Sequence, residues 1–495
     1  MKFLRLLPLL LAVLLLGSCG KEERISVDLF YTADMQGFFY ARPEPHFDNR
    51  EAGGYAVLKN FLQKQQGPYI LIDGGNWLGS APEATLSKGS FVLDFLKAIP
   101  FSVSSLSEQD FVYGWPSLRG IIRELPYPFI VSNLSLENQI PWPLHDYQII
   151  TLNGIKIAFF GLVSPETTGG RTRLTGMTVL DPLETARKMT ALLKEKGVHY
   201  IVLLSSLGEG KGTVTDEQLA DEISDIDLIL SANLNLEEAE TKEIGKTLLV
   251  YPGAKLDSIS RVTLFFDKNK IHKESSVTDM PLLKETYQEE SLLAELAQKY
   301  REETRKKMDA RISQTKMLIS TSLTDESLLG NLLADCLAKW SKLDGAILNS
   351  DSIRSPIFEG KITEYDVYKM YPYGDNITFI TIKGKAFKKA LEQSLNSKDN
   401  FPQIGGFKVE YSVDGQGIYK IKKITLNNGR IVRDSDTYHF AITDHILSGG
   451  FGHDGFIDSL EFKNTFVEAR QIMRSCLIRQ KEIALPSLGR WKKVK

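Results

Sequence analysis

Cysteine is scarce in this chain, with three residues in 495, at positions 19, 336 and 476. That excludes a small fold built on a disulfide framework. Long apolar runs are missing beyond the first twenty residues. No later stretch offers the 18 uncharged apolar residues of a membrane-spanning helix. Charge of one sign is not in excess either, since 60 Lys and Arg face 62 Asp and Glu. A net charge of −2 gives no electrostatic reason to expect a nucleic-acid partner. The length predicts two domains rather than one.

The first twenty residues, "MKFLRLLPLLLAVLLLGSCG", are of a different kind. Lys2 and Arg5 precede an apolar run from Leu6 to Leu16, and Gly17-Ser18-Cys19 follows. This is the three-part pattern of a secretory signal. Its end, "LGSC", resembles a bacterial lipobox, in which the Cys is acylated. The expectation is a signal peptide over 1–18, lipidation at Cys19, and a tether over 19–24 leading to an anchored body. The chain would then be exported and lipid-anchored on the periplasmic or cell-surface side of a bacterial membrane. Gly20 resembles outer-membrane sorting signals, where the host has such a membrane. Removing the leader takes the net charge from −2 to −4. Cys336 and Cys476 remain, as one disulfide or as two buried thiols.

From Ile25 onward, short apolar runs alternate with helical patterns. "YILID", "IKIAFFGL", "YIVLLS" and "IDLIL" read as strands. "DPLETARKMTALLKEKG" (181–197) reads as a helix with an Asp-Pro start and a Gly stop. "ITLNGIKIA" reads as a hairpin turning at Asn153-Gly154. Alternation of this kind predicts an α/β fold with covered sheet faces. A charge-rich helical stretch over 282–310 reads as a connector, and a second body opens with the amphipathic "DESLLGNLLADCLAKW".

The order of these motifs resembles the 5′-nucleotidase family. "AGGYAVLKNFL", "YPFIVSNL", "NGIKIAFFGLVSPET", "VYPGAKLDSISRVTLFFD", "GKITEYDVYKMYPYGDN" and "ILSGG" carry the likeness over about residues 26–460. The resemblance implies two domains. A calcineurin-like metallophosphoesterase α/β sandwich is expected over 25–268, joined by a helix within 269–311 to a 5′-nucleotidase-type C-terminal α/β domain over 312–495. It also implies a phosphomonoester hydrolase that uses two divalent metal ions held by five loops.

This chain departs from the family at those loops. Asp-x-His becomes Asp34-Met35-Gln36, and the bridging Asp of Gly-Asp becomes Asn76. In "SEQDFVYG", Glu108 replaces a ligating Asn and Gln109 replaces the His that acts as proton donor. Ser206 replaces the His of the fourth loop, and Asn233 and Asn235 replace both of the fifth. None of the seven His, at 46, 145, 199, 272, 439, 445 and 453, falls in one of these five loops. The expectation is a vestigial, catalytically inactive pocket with no metal ligands and no cofactor. Its amides either hold the loops together or bind a neutral polar ligand. An oxygen-only Ca²⁺ or Mg²⁺ site on Asp34 and Glu108 is a third reading. An active 5′-nucleotidase or phosphoesterase in nucleotide catabolism, with an unconventional metal site, is the alternative.

In the second body, "NSDSIR" keeps Asn349 and Arg354 of the family's Asn-Gly-Gly-x-Ile-Arg, with Ser350-Asp351 for the glycines. Tyr373 and His445 stand where the family stacks a base between two Phe. A further family Arg is Leu323 here. The resemblance implies that a nucleotide or other small polar ligand binds at Asn349, Arg354, Tyr373 and His445, or that only the fold survives.

Overall fold

A computed structural model describes residues 24–79, 81–165, 177–207, 214–232, 236, 238–397, 400–449 and 453–494. Strand Ile25–Thr32 sits at the centre of a five-stranded sheet. It pairs in parallel with Tyr69–Asp73, which pairs in parallel with Val103–Ser104. On its other edge it runs antiparallel to Ser258–Phe266. A six-stranded sheet contains Tyr147–Leu152, Ile155–Val163, Tyr200–Ser206 and Leu228–Ser231 in spatial sequence.

The two sheets pack face to face. Val27, Leu29 and Tyr31 of the first meet Phe159, Val202 and Leu230 of the second in one core. The opposite face of the Ile25 strand is also apolar, because Phe30 packs under the helix Tyr55–Gln63. Likewise Phe160 and Leu203 are covered by the helix Pro182–Glu195. Strands buried on both faces read as continuous apolar runs, which is why they were visible in the sequence. The hairpin turns at Asn153-Gly154, both left-handed, as the dipeptide requires. Asp181 caps the Pro182 helix by accepting the Glu184 N–H at 2.8 Å. An Asp181→Ala variant is expected to lose about 0.5–2 kcal/mol, read from the urea midpoint.

The stretch read as a connector has more structure than expected. His272–Pro281 is an edge strand of the first sheet, antiparallel to Ser258–Phe266. None of its residues is buried and most are polar, with Lys273, Glu274 and Asp279 guarding the edge, so it carries no apolar period. The helix Ser291–Met308 then packs on the first body. Tyr300 stacks on Phe91 with centroids 3.8 Å apart and donates its hydroxyl to Asp94.

The C-terminal part holds a second five-stranded sheet, in the order Pro402–Gly405, Gly345–Asn349, Thr437–Thr443, Asn376–Lys383, Glu461–Glu468. A three-stranded sheet of Tyr419–Leu426, Phe407–Val413 and Trp491–Lys493 lies in the same part of the chain. Helices Leu328–Ser341 and Gly384–Leu395 supply apolar faces to its two cores. Cys336 and Cys476 form a disulfide joining the Leu328 helix to the helix Ala469–Ile478. Among the described residues, no helix is long and apolar enough to cross a membrane.

Candidate functional site

Parallel strands end at one side of a sheet, so the loops that follow them converge there. Asp34 follows Ile25–Thr32, Asn76 follows Tyr69–Asp73, and Ser107 follows Val103–Ser104. Ser206 ends its strand in the other sheet and meets Ser107 hydroxyl to hydroxyl at 2.6 Å. Four of the five predicted loops therefore come together. Asn233 and Asn235 lie outside the described residues.

Backbone geometry fixes the first two loops against each other. The Asp34 N–H donates to the Gly75 carbonyl at 3.0 Å, and the Gln36 N–H to the Asn76 carbonyl at 2.8 Å. Asp34, Gln36 and Asn76 all sit in the left-handed region, at φ 53°, 50° and 56°. Gly75 must be glycine, because at φ 92° a Cβ there would lie 2.7 Å from the Ser107 nitrogen.

The side chains of this pocket are directed at one another. The Asn76 amide donates to Asp34 Oδ1 at 2.6 Å, and its Oδ1 accepts the Gln109 N–H at 2.8 Å. That second bond leaves no doubt which end of the amide is oxygen. Asp34, Asn76 and Ser206 are buried, whereas Gln36, Glu108 and Gln109 are half-buried at the rim. A dinuclear centre needs an anion between two dications, and here that position holds a neutral amide with both ends engaged. The donor set offers no imidazole. These residues do not fit the two-metal centre that the resemblance implies.

Sequence reasoning missed the carboxylates behind the pocket. Asp110 accepts N–H bonds from Asn76 at 2.8 Å, Trp77 at 3.1 Å and Ser107 at 2.9 Å, and so ties loop two to loop three. Asp73 accepts from the Ser104 hydroxyl and the Gly75 N–H. Burial pushes its carboxyl up to about 7 against those bonds, and the Asp34 charge adds to the push. Asp216 accepts from Ser205 and from Ser231, the latter at 2.5 Å. Burial raises it to about 6. Both native values exceed the unfolded value of about 3.9, so the folded chain holds protons that the unfolded chain has lost. Their stabilisation is complete below about pH 4 and is lost as pH rises through 6 to 7. The urea midpoint is expected to be higher at pH 5 than at pH 8, with a smaller difference in an Asp73→Asn variant.

Beside the pocket, Glu44, His46 and Asp257 each present a ligand atom, all within 4.8 Å of one another. The Arg42 guanidinium lies among them, 2.6 Å from Glu44 and 2.5 Å from Asp257. Burial pushes Asp257 up to about 7, although Arg42 pulls it down. The expectation of a chain with no place for a metal cofactor is therefore corrected: one imidazole and two carboxylates gather outside the loops where ligands were sought. No sequence signal joins them, since Arg42 and Asp257 are 215 positions apart.

In the C-terminal part, Asn349 is fully buried at the end of its strand. Its Oδ1 accepts from Ser352 at 2.9 Å, while its Nδ2 has no hydrogen-bond partner. Arg354 is exposed and donates to Asp351 Oδ1 at 2.9 Å. Tyr373 is 40% exposed. Partial burial raises its phenol, with Arg354 pulling down and Asp351 pushing up, so the ring lies within electrostatic reach of both. Asn349, Arg354 and Tyr373 thus bound one region. Leu323 joins its rim, its carbonyl accepting from Ser350 Oγ at 2.8 Å. His445 belongs to the short helix Asp444–Leu447. The unforeseen residue here is His453, fully buried between Ser394 at 2.6 Å and Asn400 at 3.2 Å. Burial, with His445 nearby, lowers it to about 3.

Comparisons with known proteins bear on both parts. The family model described as "5'-nucleotidase, C-terminal domain" matches residues 303–458. The trifunctional nucleotide phosphoesterase protein YfkN of Bacillus subtilis is 27% identical over 349 residues, 64% of this chain but 23% of that protein's length. Rat 5′-nucleotidase is 22% identical over 463 residues, covering 82% of this chain and 79% of its own. A candidate 5′-nucleotidase of Staphylococcus aureus, solved in complex with alpha-ketoglutarate, superposes with a TM-score of 0.76 at 18% identity. It covers 95% of this chain and 100% of that one, a likeness of fold. Over residues 303–458 the chain matches the 5′-nucleotidase C-terminal domain, and along most of its length it is similar in sequence to 5′-nucleotidases and shares their two-domain fold.

Proposed function

We propose that this chain is an exported, lipid-anchored member of the family that has given up phosphoester hydrolysis at the strand-end loops and binds a nucleotide-like or other small polar ligand through its C-terminal domain. One observation carries the loss of hydrolysis. The amide of Asn76 donates directly into Asp34, so the position from which a carboxylate would hold the reacting centre is spent on an internal hydrogen bond. Gln109, at the proton donor's position, has no proton to give near neutral pH. The Cys336–Cys476 disulfide supports export, since such bonds persist in oxidising compartments.

Ligand binding is supported by the orphaned Asn349 Nδ2, a buried donor that a bound acceptor would satisfy. Tyr373 supplies an exposed ring for stacking, and Arg354 can exchange Asp351 for an anionic group. The full chain, assayed with AMP and an aryl phosphate in added Mn²⁺, Co²⁺ or Zn²⁺, is expected to release no phosphate above the blank. Turnover abolished by Asp34→Ala would overturn this reading in favour of an active phosphoesterase. Calorimetry with adenosine and AMP is expected to give heat that Asn349→Ala removes; no heat at millimolar ligand leaves the C-terminal site without support. A Cys19→Ser chain is expected to leave the membrane fraction, and its retention would count against acylation.

A further inference from the structure

We propose that Glu44, His46 and Asp257 bind one divalent transition-metal ion at a site separate from the five strand-end loops. The ligand set is the first reason. One imidazole with two carboxylates is a borderline N/O set that suits Zn²⁺, Co²⁺ or Mn²⁺, whereas an oxygen-only cluster would suit Ca²⁺ or Mg²⁺. The donor atoms already lie within 4.8 Å of one another. Tetrahedral donors about 2.1 Å from an ion stand about 3.4 Å apart, so a small side-chain adjustment closes the site.

Charge is the second reason. Glu44 and Asp257 have side chains only 7% and 5% exposed, and Arg42 alone bonds to both. Arg42 takes Oε1 of Glu44 and Oδ1 of Asp257, which leaves the other oxygen of each for a second cation. Glu44 Oε2 lies 3.9 Å from His46 Nδ1, where an ion would sit between them. Two buried carboxylates share the one guanidinium that bonds to both, and buried carboxylates are costly unless each is countered.

The site also has a mechanical consequence. Arg42, Glu44 and His46 come from the hairpin around Arg42–Glu44, while Asp257 follows the Lys255 whose N–H holds the Asp34 carbonyl at 2.7 Å. An ion here cross-links that hairpin to the segment that supports the Asp34 loop, whether or not the loop is itself active.

The test uses the full chain, stripped with chelator and titrated with Zn²⁺ and Co²⁺ by equilibrium dialysis with elemental analysis. One equivalent bound at micromolar metal is expected, with a visible absorption band for Co²⁺ that reports nitrogen ligation. His46→Gln and Glu44→Gln are each expected to weaken binding at least tenfold, and Asp34→Asn to leave it unchanged. His46 is partly exposed, and circular dichroism of His46→Gln checks that the chain still folds. No binding below millimolar in the native chain would overturn the proposal. So would full retention of metal in His46→Gln, or loss of it in Asp34→Asn alone.

Discussion

An Asn76→Asp substitution is expected to destabilise the chain by about 3–5 kcal/mol at pH 8, the usual cost of an uncompensated buried charge. The substitution restores the family's residue type, so its cost measures how far the pocket has been rebuilt. Asn76 and Asp34 are each about 1% exposed. The native amide donates to Asp34 at 2.6 Å, and the new carboxylate would face that oxygen with nothing to donate. The Gln109 N–H would still be accepted, since a carboxylate oxygen replaces the amide oxygen. Two carboxylates at this distance share a proton, so one of them titrates at a raised pH. The loss is therefore expected to shrink at pH 5, where that proton is available. Urea unfolding at both pH values checks it. A variant within 1 kcal/mol of native at pH 8 would mean that the pocket still tolerates paired anions, as a metal site does.

Replacing both Cys336 and Cys476 by Ser is expected to cost about 2–5 kcal/mol. The bond closes a loop of 140 positions and pins the last helix of the second body to its first. Closing a loop of this length removes much conformational freedom from the unfolded chain. Cys336 packs at 2% exposure beside Leu332, Leu333 and Leu337, so its serine also buries a hydroxyl. Unfolding of the native chain with and without reductant separates the two contributions. Reductant alone should reproduce most of the loss, and no shift in either experiment would show the bond to be dispensable.

Much of the fold was legible because periodicity is a local property. Strands buried on both faces wrote themselves as apolar runs, and Asp181 and Asn153-Gly154 marked a helix start and a turn. The edge strand His272–Pro281 was not legible, because a polar edge strand with no buried face carries no apolar alternation. The disulfide was open in the sequence because two cysteines far apart state no distance between them.

The site divides in the same way. The sequence by itself determined that imidazole is absent from the strand-end loops, since that is a matter of which residue types follow which strands. It could also show that the residues replacing the five His and the bridging Asp are neutral. Only the tertiary structure decided that Asn76 spends its amide on Asp34, and that Arg42, Glu44, His46 and Asp257 share one place. The reason is physical: hydrogen bonding and metal ligation act over a few ångströms. Residues 215 positions apart come within that range only when the sheet folds back on itself.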